Sequence, residues 1–296
     1  MPAPDFRARS RKALLAERVG LNFRVRNGTG CFPHPMTGNP PVDRTFRPLN
    51  KRRFWVWLGG LTGEVLGSFR FEEAVALRRL NRFVVEAEAG GCVLLLHIRN
   101  TGRLLDLVYP GARLFFEPRS GGRTRGVIIG VAVDDERAAL IDPLTQVRMF
   151  EEAWRRGLVG WLKGWRVAGR EPLYRGSRID YLLEGPGGER GLMEAKSAVY
   201  LSERGECMYP DTVSERGRRH VDALAAARRE GLRAVITFIS AHPLCTSFRP
   251  CCEVDPVLCD KLRRASMLGV EIWAVKMHLE GGEALLDTAE LPIALG

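Results

Sequence analysis

The stretch "RIDYLLEGPGGERGLMEAKS" places Asp180 in one apolar run and Glu194 and Lys196 in the next, with a Gly/Pro turn between them. Charged residues are poor strand formers and costly to bury, so three of them here need a reason. Two carboxylates a few ångströms apart repel, and one tends to keep its proton. A divalent cation removes that conflict. Mg2+ takes oxygen ligands at ~2.1 Å and is often held by one or two carboxylates with waters and phosphates. A lysine beside such an ion can polarise a water or stabilise negative charge building on a phosphorus centre. The competing account is a solvated strand edge, with Lys196 in a cross-strand salt bridge to Asp180 or Glu194. Residue usage leans toward chemistry. Only six of the 45 basic residues are lysines, and one of them, a compact donor, stands here.

The elements that must position these groups lie on either side. Side chains on a strand alternate faces, so Glu194 and Lys196 point one way and Met193, Ala195 and Ser197 the other. "GSRIDYLLE" and "GLMEAKSAVY" read as an antiparallel pair, which lets Asp180 come alongside. Upstream, "DPLTQVRMFEEAWRRGLVGWL" is a helix capped by Asp142 or Thr145, with Val147, Phe150, Trp154 and Leu158 on one face. "WRVAGREPLY" supplies a strand before the pair. Downstream, "SERGRRHVDALAAARREG" is a helix that Ser214 caps and Gly231 stops. A strand "LRAVITFIS", a capped helix "DPVLCDKLRRASMLG" and a strand "VEIWAVKMHL" follow. The order helix, three strands, helix, strand, helix, strand predicts an α/β layer with a mixed sheet over residues 143–296. Residues 66–142 are short β-rich runs separated by Gly, Asn, Pro or Asp, which predicts a small β-barrel. Strand count alone leaves a small sandwich open.

The 296 residues suffice for about two domains, and 45% apolar content is ordinary for a globular chain. No apolar run reaches the ~18 residues that cross a bilayer, and no signal-peptide h-region heads the chain. A cytoplasmic protein without a membrane partner is expected. The net charge is +10, of which residues 1–65 carry +8, from 12 basic and 4 acidic side chains. Residues 66–142 and 143–296 carry +1 each. The Gly/Pro/Asn-rich first segment reads as a basic extension, either meeting a polyanion or only aiding solubility. Seven cysteines imply no disulfide framework. Cys245, Cys251, Cys252 and Cys259 cluster, but no pair has C-x2-C spacing. They read as small buried or half-buried thiols, with a metal site as the lesser alternative.

An acid separated by thirteen residues from a Glu-x-Lys, on adjacent strands after a helix, is the signature of the PD-(D/E)xK nuclease superfamily. The wider chain resembles the sugar fermentation stimulation protein (SfsA) family over roughly Leu80 to Leu279. "LNRFVVEA" is similar to the family's opening R-x-x-R-F strand, and "LHIRNTGRLLDLVYPGARLFF" to its H-x-x-N-x-G-R…P-G segment. "GSRIDYLL" and "MEAKSAVYL" resemble its S-R-I-D and E-x-K-S strands. "YPDTVSERGRRHVDAL" resembles its F-P-D-A…T-x-R-G-x-x-H-L block, the most specific match. "EVDPVLCDKLRRASMLGVEIWA" resembles its closing helix and strand. Three departures stand out. Residues 1–65 have no counterpart, an asparagine-rich turn is absent from "IDPLTQVRMF", and the F-P-D-A element reads Tyr209-Pro210-Asp211-Thr212.

The resemblance implies an OB-fold β-barrel followed by a restriction-endonuclease-like, PD-(D/E)xK mixed-sheet α/β domain. It implies DNA binding with little sequence preference and an association with regulation of sugar-utilisation genes. It matches the metal and catalytic positions to Asp180, Glu194 and Lys196. Other residues are candidates on position. Glu171 is a further acid for the metal, or a surface strand residue. Arg216 and His220, near the N-terminal half of a helix, suit a docked phosphate, with Asp211 and Glu215 supporting. Arg178 on the hairpin, and Arg82, Arg99, Asn100, Arg103 and Arg123 near barrel turns, suit contacts to a nucleic-acid backbone. A solvated role for each arginine, and a packing role for His220, stay open.

The expectation is a Mg2+- or Mn2+-dependent phosphodiesterase acting on DNA, or on RNA. The alternative is a non-catalytic, weakly sequence-specific DNA-binding regulator. A scaffold independent of nucleic acid is disfavoured by the complete acid/acid/lysine set and the basic extension.

Overall fold

The structure is a computed structural model that describes residues 63–296. The basic extension, with its strand candidate "KRRFWVWLGG", lies outside the described residues except for positions 63–65. β1 (Glu64–Ser68) is followed by an antiparallel meander of β2 (Glu72–Asn81), β3 (Val84–Ala89) and β4 (Cys92–His97). β5 (Arg113–Pro118) returns beside β2. β6 (Gly126–Ala132) pairs antiparallel with β5 and parallel with β4. That last pairing closes a five-stranded barrel and removes the sandwich. The inward positions alternate along the strands, as a half-buried strand requires: Val85 and Ala87 on β3, Leu114 and Phe116 on β5.

β7 (Arg137–Leu140) pairs with β6 on one edge. On its other edge it pairs with β17 (Glu271–Glu280). The barrel ladder therefore continues into the α/β layer. This explains why "GVIIGVA" of β6 is apolar along its whole length, being covered on both faces.

The layer follows the expected order. α1 (Pro143–Arg155) leads to β8 (Arg166–Arg170), a two-residue hairpin of β9 (Leu173–Tyr174) and β10 (Ser177–Arg178), then β11 (Tyr181–Glu184) and β12 (Arg190–Ser197). β13 (Tyr200–Leu201) and β14 (Glu206–Tyr209) join β16 (Ser247–Pro250) in a separate small sheet. α2 (Glu215–Arg229), β15 (Arg233–Ser240), α3 (Pro256–Met267), β17 and β18 (Glu283–Thr288) complete the chain. β8, β11 and β12 are antiparallel, while β12, β15 and β17 are parallel. β1 pairs with β18, so it spans the expected boundary at residue 65.

Alternation along β12 sorts two cores. Met193 belongs to one core together with Val235, Val275, Phe150 of α1 and the inward residues of the barrel. Leu192 packs with Ile236, Leu224 of α2 and Leu262 of α3. Asp142 caps α1, accepting from Thr145 N–H at 2.9 Å ahead of Pro143. The helix ends at Arg155, so Leu158 lies beyond it. Ser214 caps α2, and Gly231 follows its C-terminus at φ +85°, a left-handed position that suits glycine. Asp255 caps α3 and also accepts from Ser214 N–H at 3.0 Å, tying the starts of α2 and α3 together.

Two sequence expectations need correction. Cys252 and Cys259 form a disulfide, while Cys245 and Cys251 are buried thiols. The bridge joins the loop before α3 to the helix's own first turn. No three His, Cys, Asp or Glu side chains form a metal-ligand cluster among the described residues, so the cysteine metal site falls. No helix of the described residues is long and apolar enough to cross a membrane.

Candidate active site

The start of β11 faces the middle of β12, because the two strands are antiparallel with Tyr181 opposite Met193. Asp180, just ahead of β11, therefore meets Glu194 in the second half of β12. Both face the α2 side of the sheet. The two acids hold each other's strands. Asp180 N–H donates to Glu194 Oε2 at 3.1 Å, and Ala195 N–H donates to Asp180 Oδ2 at 2.8 Å. Lys196, two residues on, shares the face of Glu194 and donates to its Oε1. His220 Nδ1 approaches the same oxygen at 2.5 Å.

Burial sets the electrostatics. Burial, then the charge of Glu194, pushes the Asp180 carboxyl up to about 6. Burial also pushes Glu194 up, but the His220 hydrogen bond and the Lys196 charge outweigh it and hold Glu194 below the usual carboxylate range. Burial pushes Lys196 down, yet the Glu194 charge keeps it above its ordinary value. The site is thus one fully countered carboxylate beside one that burial and its neighbour disfavour as an anion.

These groups line a cleft of about 500 Å³. One wall is the barrel loop from Arg99 to Leu104, and the other is Tyr209–Gly217. The walls are joined at Asp211, whose Oδ2 accepts from Leu104 N–H at 3.1 Å. Its carboxylate lies so close to Gly102 that a Cβ there would meet Oδ2 at 2.4 Å. Asp211 is thus a strut between the walls.

Of the candidates, Asp180, Glu194, Lys196, Arg82, Arg99, Asn100, Asp211 and Arg216 line the cleft. His220 sits behind it, 3% exposed, and its Nε2 accepts from Arg216 Nε at 3.3 Å. A buried imidazole against a carboxylate is not a surface phosphate contact. Arg99 grips Asp142 with both Nε and a terminal nitrogen, at 2.6 and 2.5 Å. Asn100 donates to Ile141 O at 3.0 Å and accepts from Gly102 N–H, shaping the loop. The remaining candidates are not brought to the cleft. Glu171, its side chain 72% exposed, pairs at 3.6 Å with Arg178 across the small β9–β10 hairpin. Glu215 pairs with Arg218. Arg103 and Arg123 are exposed outside the lining set. Two contributors lie outside the candidate set, and of these only Tyr209, in the F-P-D-A-like block, has a sequence signal beyond its type. Arg79 binds the carbonyls of Arg82, Gly102 and Arg103, fixing the loop. Tyr209 forms part of the cleft and touches Ser214 Oγ at 3.3 Å.

Known proteins share this architecture. Residues 77–141 match the family model described as the SfsA N-terminal OB domain. Residues 145–283 match the one described as the sugar fermentation stimulation protein RE domain. The fold is thus an OB barrel followed by a restriction-endonuclease-like α/β layer. The sugar fermentation stimulation protein homolog of Pyrococcus furiosus is 38% identical over 221 residues, 75% of this chain and 95% of the relative. That of Pseudomonas savastanoi pv. phaseolicola is 32% identical over 223 residues, 74% and 94% of the two chains. The solved structure of Pyrococcus furiosus SfsA in complex with Ca2+ matches with a TM-score of 0.73 at 37% identity, covering 78% of this chain and 99% of that one. By sequence match, coverage and fold together, the chain belongs to the sugar fermentation stimulation protein (SfsA) family.

Proposed function

We propose that this chain is a DNA-binding, divalent-cation-dependent phosphodiesterase, with Asp180, Glu194 and Lys196 as its working groups. The observation that carries the reading is the meeting of Asp180 and Glu194 in one cleft, with the Asp180 carboxyl pushed up to about 6 by burial and by its neighbour. The donor set fits a cation. Asp180 Oδ2 is fixed by Ala195 N–H, Oδ1 takes no hydrogen bond among the described residues, and a divalent charge would relieve the repulsion. The Ca2+ complex of the Pyrococcus furiosus relative supports the same choice of ligand class. Mg2+ or Mn2+ is the working ion in this proposal.

A divalent cation bound there would offset charge on the attacking and leaving oxygens. The chain's own groups do the rest. Asp180 and Glu194 would hold the cation and are themselves aligned by each other's strands. Lys196 places a positive charge over the cleft floor, where a phosphate's developing charge would fall. Arg216 extends from α2 toward the same space.

A second reading, a DNA-binding regulator that keeps the nuclease fold, is favoured by one feature. Glu194 is already countered by Lys196 and His220 without any cation. Cleavage assays on single-stranded and duplex DNA, with Mg2+ or Mn2+, decide between them. Activity lost in Asp180→Asn, Glu194→Gln and Lys196→Ala, with DNA binding by metal-free Asp180→Asn equal to or above wild type, supports the enzyme. Binding without cleavage of any DNA form leaves the regulator.

A further inference from the structure

The barrel wall carries a feature that the acid pair does not explain. Phe83, at the head of β3, is 41% exposed, although phenylalanine is among the residue types most often buried. Its backbone is fixed on both sides. Phe83 N–H donates to Asn81 Oδ1, and Phe83 O accepts from Ile98 N–H, each at 2.8 Å. The His97 ring braces it from the neighbouring strand, 6.4 Å between centroids. On the cleft side stands Arg82, whose guanidinium carbon is 6.0 Å from the Phe83 centroid. Arg82 Nε donates to Thr101 O at 2.8 Å, which holds the side chain against the cleft wall it lines. Among the described residues Arg82 has no ion-pair partner. Two other barrel arginines differ: Arg99 is matched by Asp142 and Arg78 by Glu86. An exposed ring with its backbone fixed, next to an unmatched cation that lines a cleft floored by carboxylates, is a combination with a recognisable use.

We infer that Phe83 and Arg82 form an entry subsite for an unpaired DNA strand, a base stacking on Phe83 and the adjoining phosphate meeting Arg82. The inference rests on the phosphodiester reading of the cleft and names its substrate class. Two arguments favour a single strand. An unpaired base offers its π-face to an aromatic platform, and any base will do, whereas a duplex hides those faces in its own stack. The cleft, at about 500 Å³, is also of the ~300–1,000 Å³ class that takes small molecules. That volume takes a few unpaired atoms of a strand.

The test is a binding titration of the full chain in EDTA, which separates binding from cleavage. A fluorescein-labelled oligothymidylate and a blunt duplex of equal length are the probes. Wild type should bind the oligothymidylate more tightly. Phe83→Ala should weaken that binding roughly 10-fold, the scale of one lost stacked base, and leave duplex binding and the melting temperature unchanged. Phe83→Trp should restore it. Arg82→Ala should weaken single-strand binding and lower the slope of log K against log salt by about 0.7. Equal oligothymidylate affinity for wild type and Phe83→Ala, or a preference for duplex, overturns the subsite. The outcomes separate from those of the enzyme reading. A protein that cleaves nothing but shows this pattern keeps the subsite and loses the nuclease; one that cleaves yet ignores Phe83→Ala does the reverse.

Discussion

His220 Nδ1 lies 2.5 Å from Glu194 Oε1, joining the second turn of α2 to the end of β12. Arg216 Nε donates to the other ring nitrogen, and the tautomer that carries its proton on Nδ1 donates to Glu194. The carboxylate is 1% exposed, and its other donors are Asp180 N–H and Lys196 Nζ. His220→Ala should cost about 1.5–3 kcal/mol of stability, the range for a lost hydrogen bond to a charged group. It should also weaken Ca2+ binding about 10–100-fold, as loss of an outer-shell partner does. His220→Asn, which keeps a donor, should recover part of both. A calorimetric Ca2+ titration with parallel melts reads the two effects, and unchanged Ca2+ affinity in His220→Ala would remove the positioning role.

Asp180 supplies a pH signature. Its folded-state value of about 6 stands above the ordinary 3.8. The bound proton therefore favours the fold. That contribution is complete below about pH 4 and is lost as pH rises through about 6. The gap corresponds to on the order of 3 kcal/mol. In EDTA, wild type should lose stability across this window relative to Asp180→Asn, whose amide does not titrate. A divalent cation at ~100 times its Kd should then return about 2.7 kcal/mol to wild type and far less to the variant. Melting curves of the two proteins that stay parallel from pH 4 to 7 would rule out a desolvated Asp180.

Arg99 and Arg82 line the same cleft but should fail differently. Arg99 is gripped by buried Asp142, the cap of α1, so Arg99→Ala should lower stability by about 1.5–3 kcal/mol. The salt slope of DNA binding should stay as in wild type, because that guanidinium is already matched. Arg82→Ala should leave the melting temperature alone. An Arg99→Ala protein with wild-type stability and a flatter slope would reverse the assignment.

Gly102 and Asp211 should be coupled. A methyl at position 102 would collide with the Asp211 carboxylate, so Gly102→Ala should cost about 1–3 kcal/mol, as overpacking does. Asp211→Ala removes the obstacle together with the Leu104 hydrogen bond. The double variant should be less destabilised than the sum of the singles, by at least ~0.5 kcal/mol. Additive costs in denaturant melts would mean that the two walls are not braced at this point.

What the sequence discloses tracks how local the signal is. Strand alternation is a two-residue rule, so the meeting of Asp180, Glu194 and Lys196 can be read directly. Helix periodicity tells which residues share a face but not which face packs, and His220 reads as a phosphate contact when it is buried against Glu194. Glu171 is near Asp180 in sequence, yet the chain folds through β9 and β10 between them and leaves it in solvent. The pairing of β1 with β18 joins the two ends of the described chain, and no local pattern encodes it. The Cys252–Cys259 bridge is similarly silent, since cysteine spacing alone separates neither thiol from disulfide nor disulfide from metal. The barrel was legible from its turns, but its closure depends on the parallel β4–β6 pairing, a contact between non-consecutive strands.

β7 has a mechanical meaning. It is bonded to β6 on one edge and to β17 on the other, so the two jaws of the cleft hang from one backbone ladder. Swinging the barrel away from the layer would shear interstrand hydrogen bonds, unlike the swing of two bodies on a tether. The gape of the jaws is therefore preset by the sheet, and the Asp211 strut locks it again at the rim. Compliance must come from the guest. If the proposed function holds, a polymer that reaches Glu194 would have to bend or splay itself to do so, and the strain of that distortion would favour segments that are already frayed, nicked or kinked.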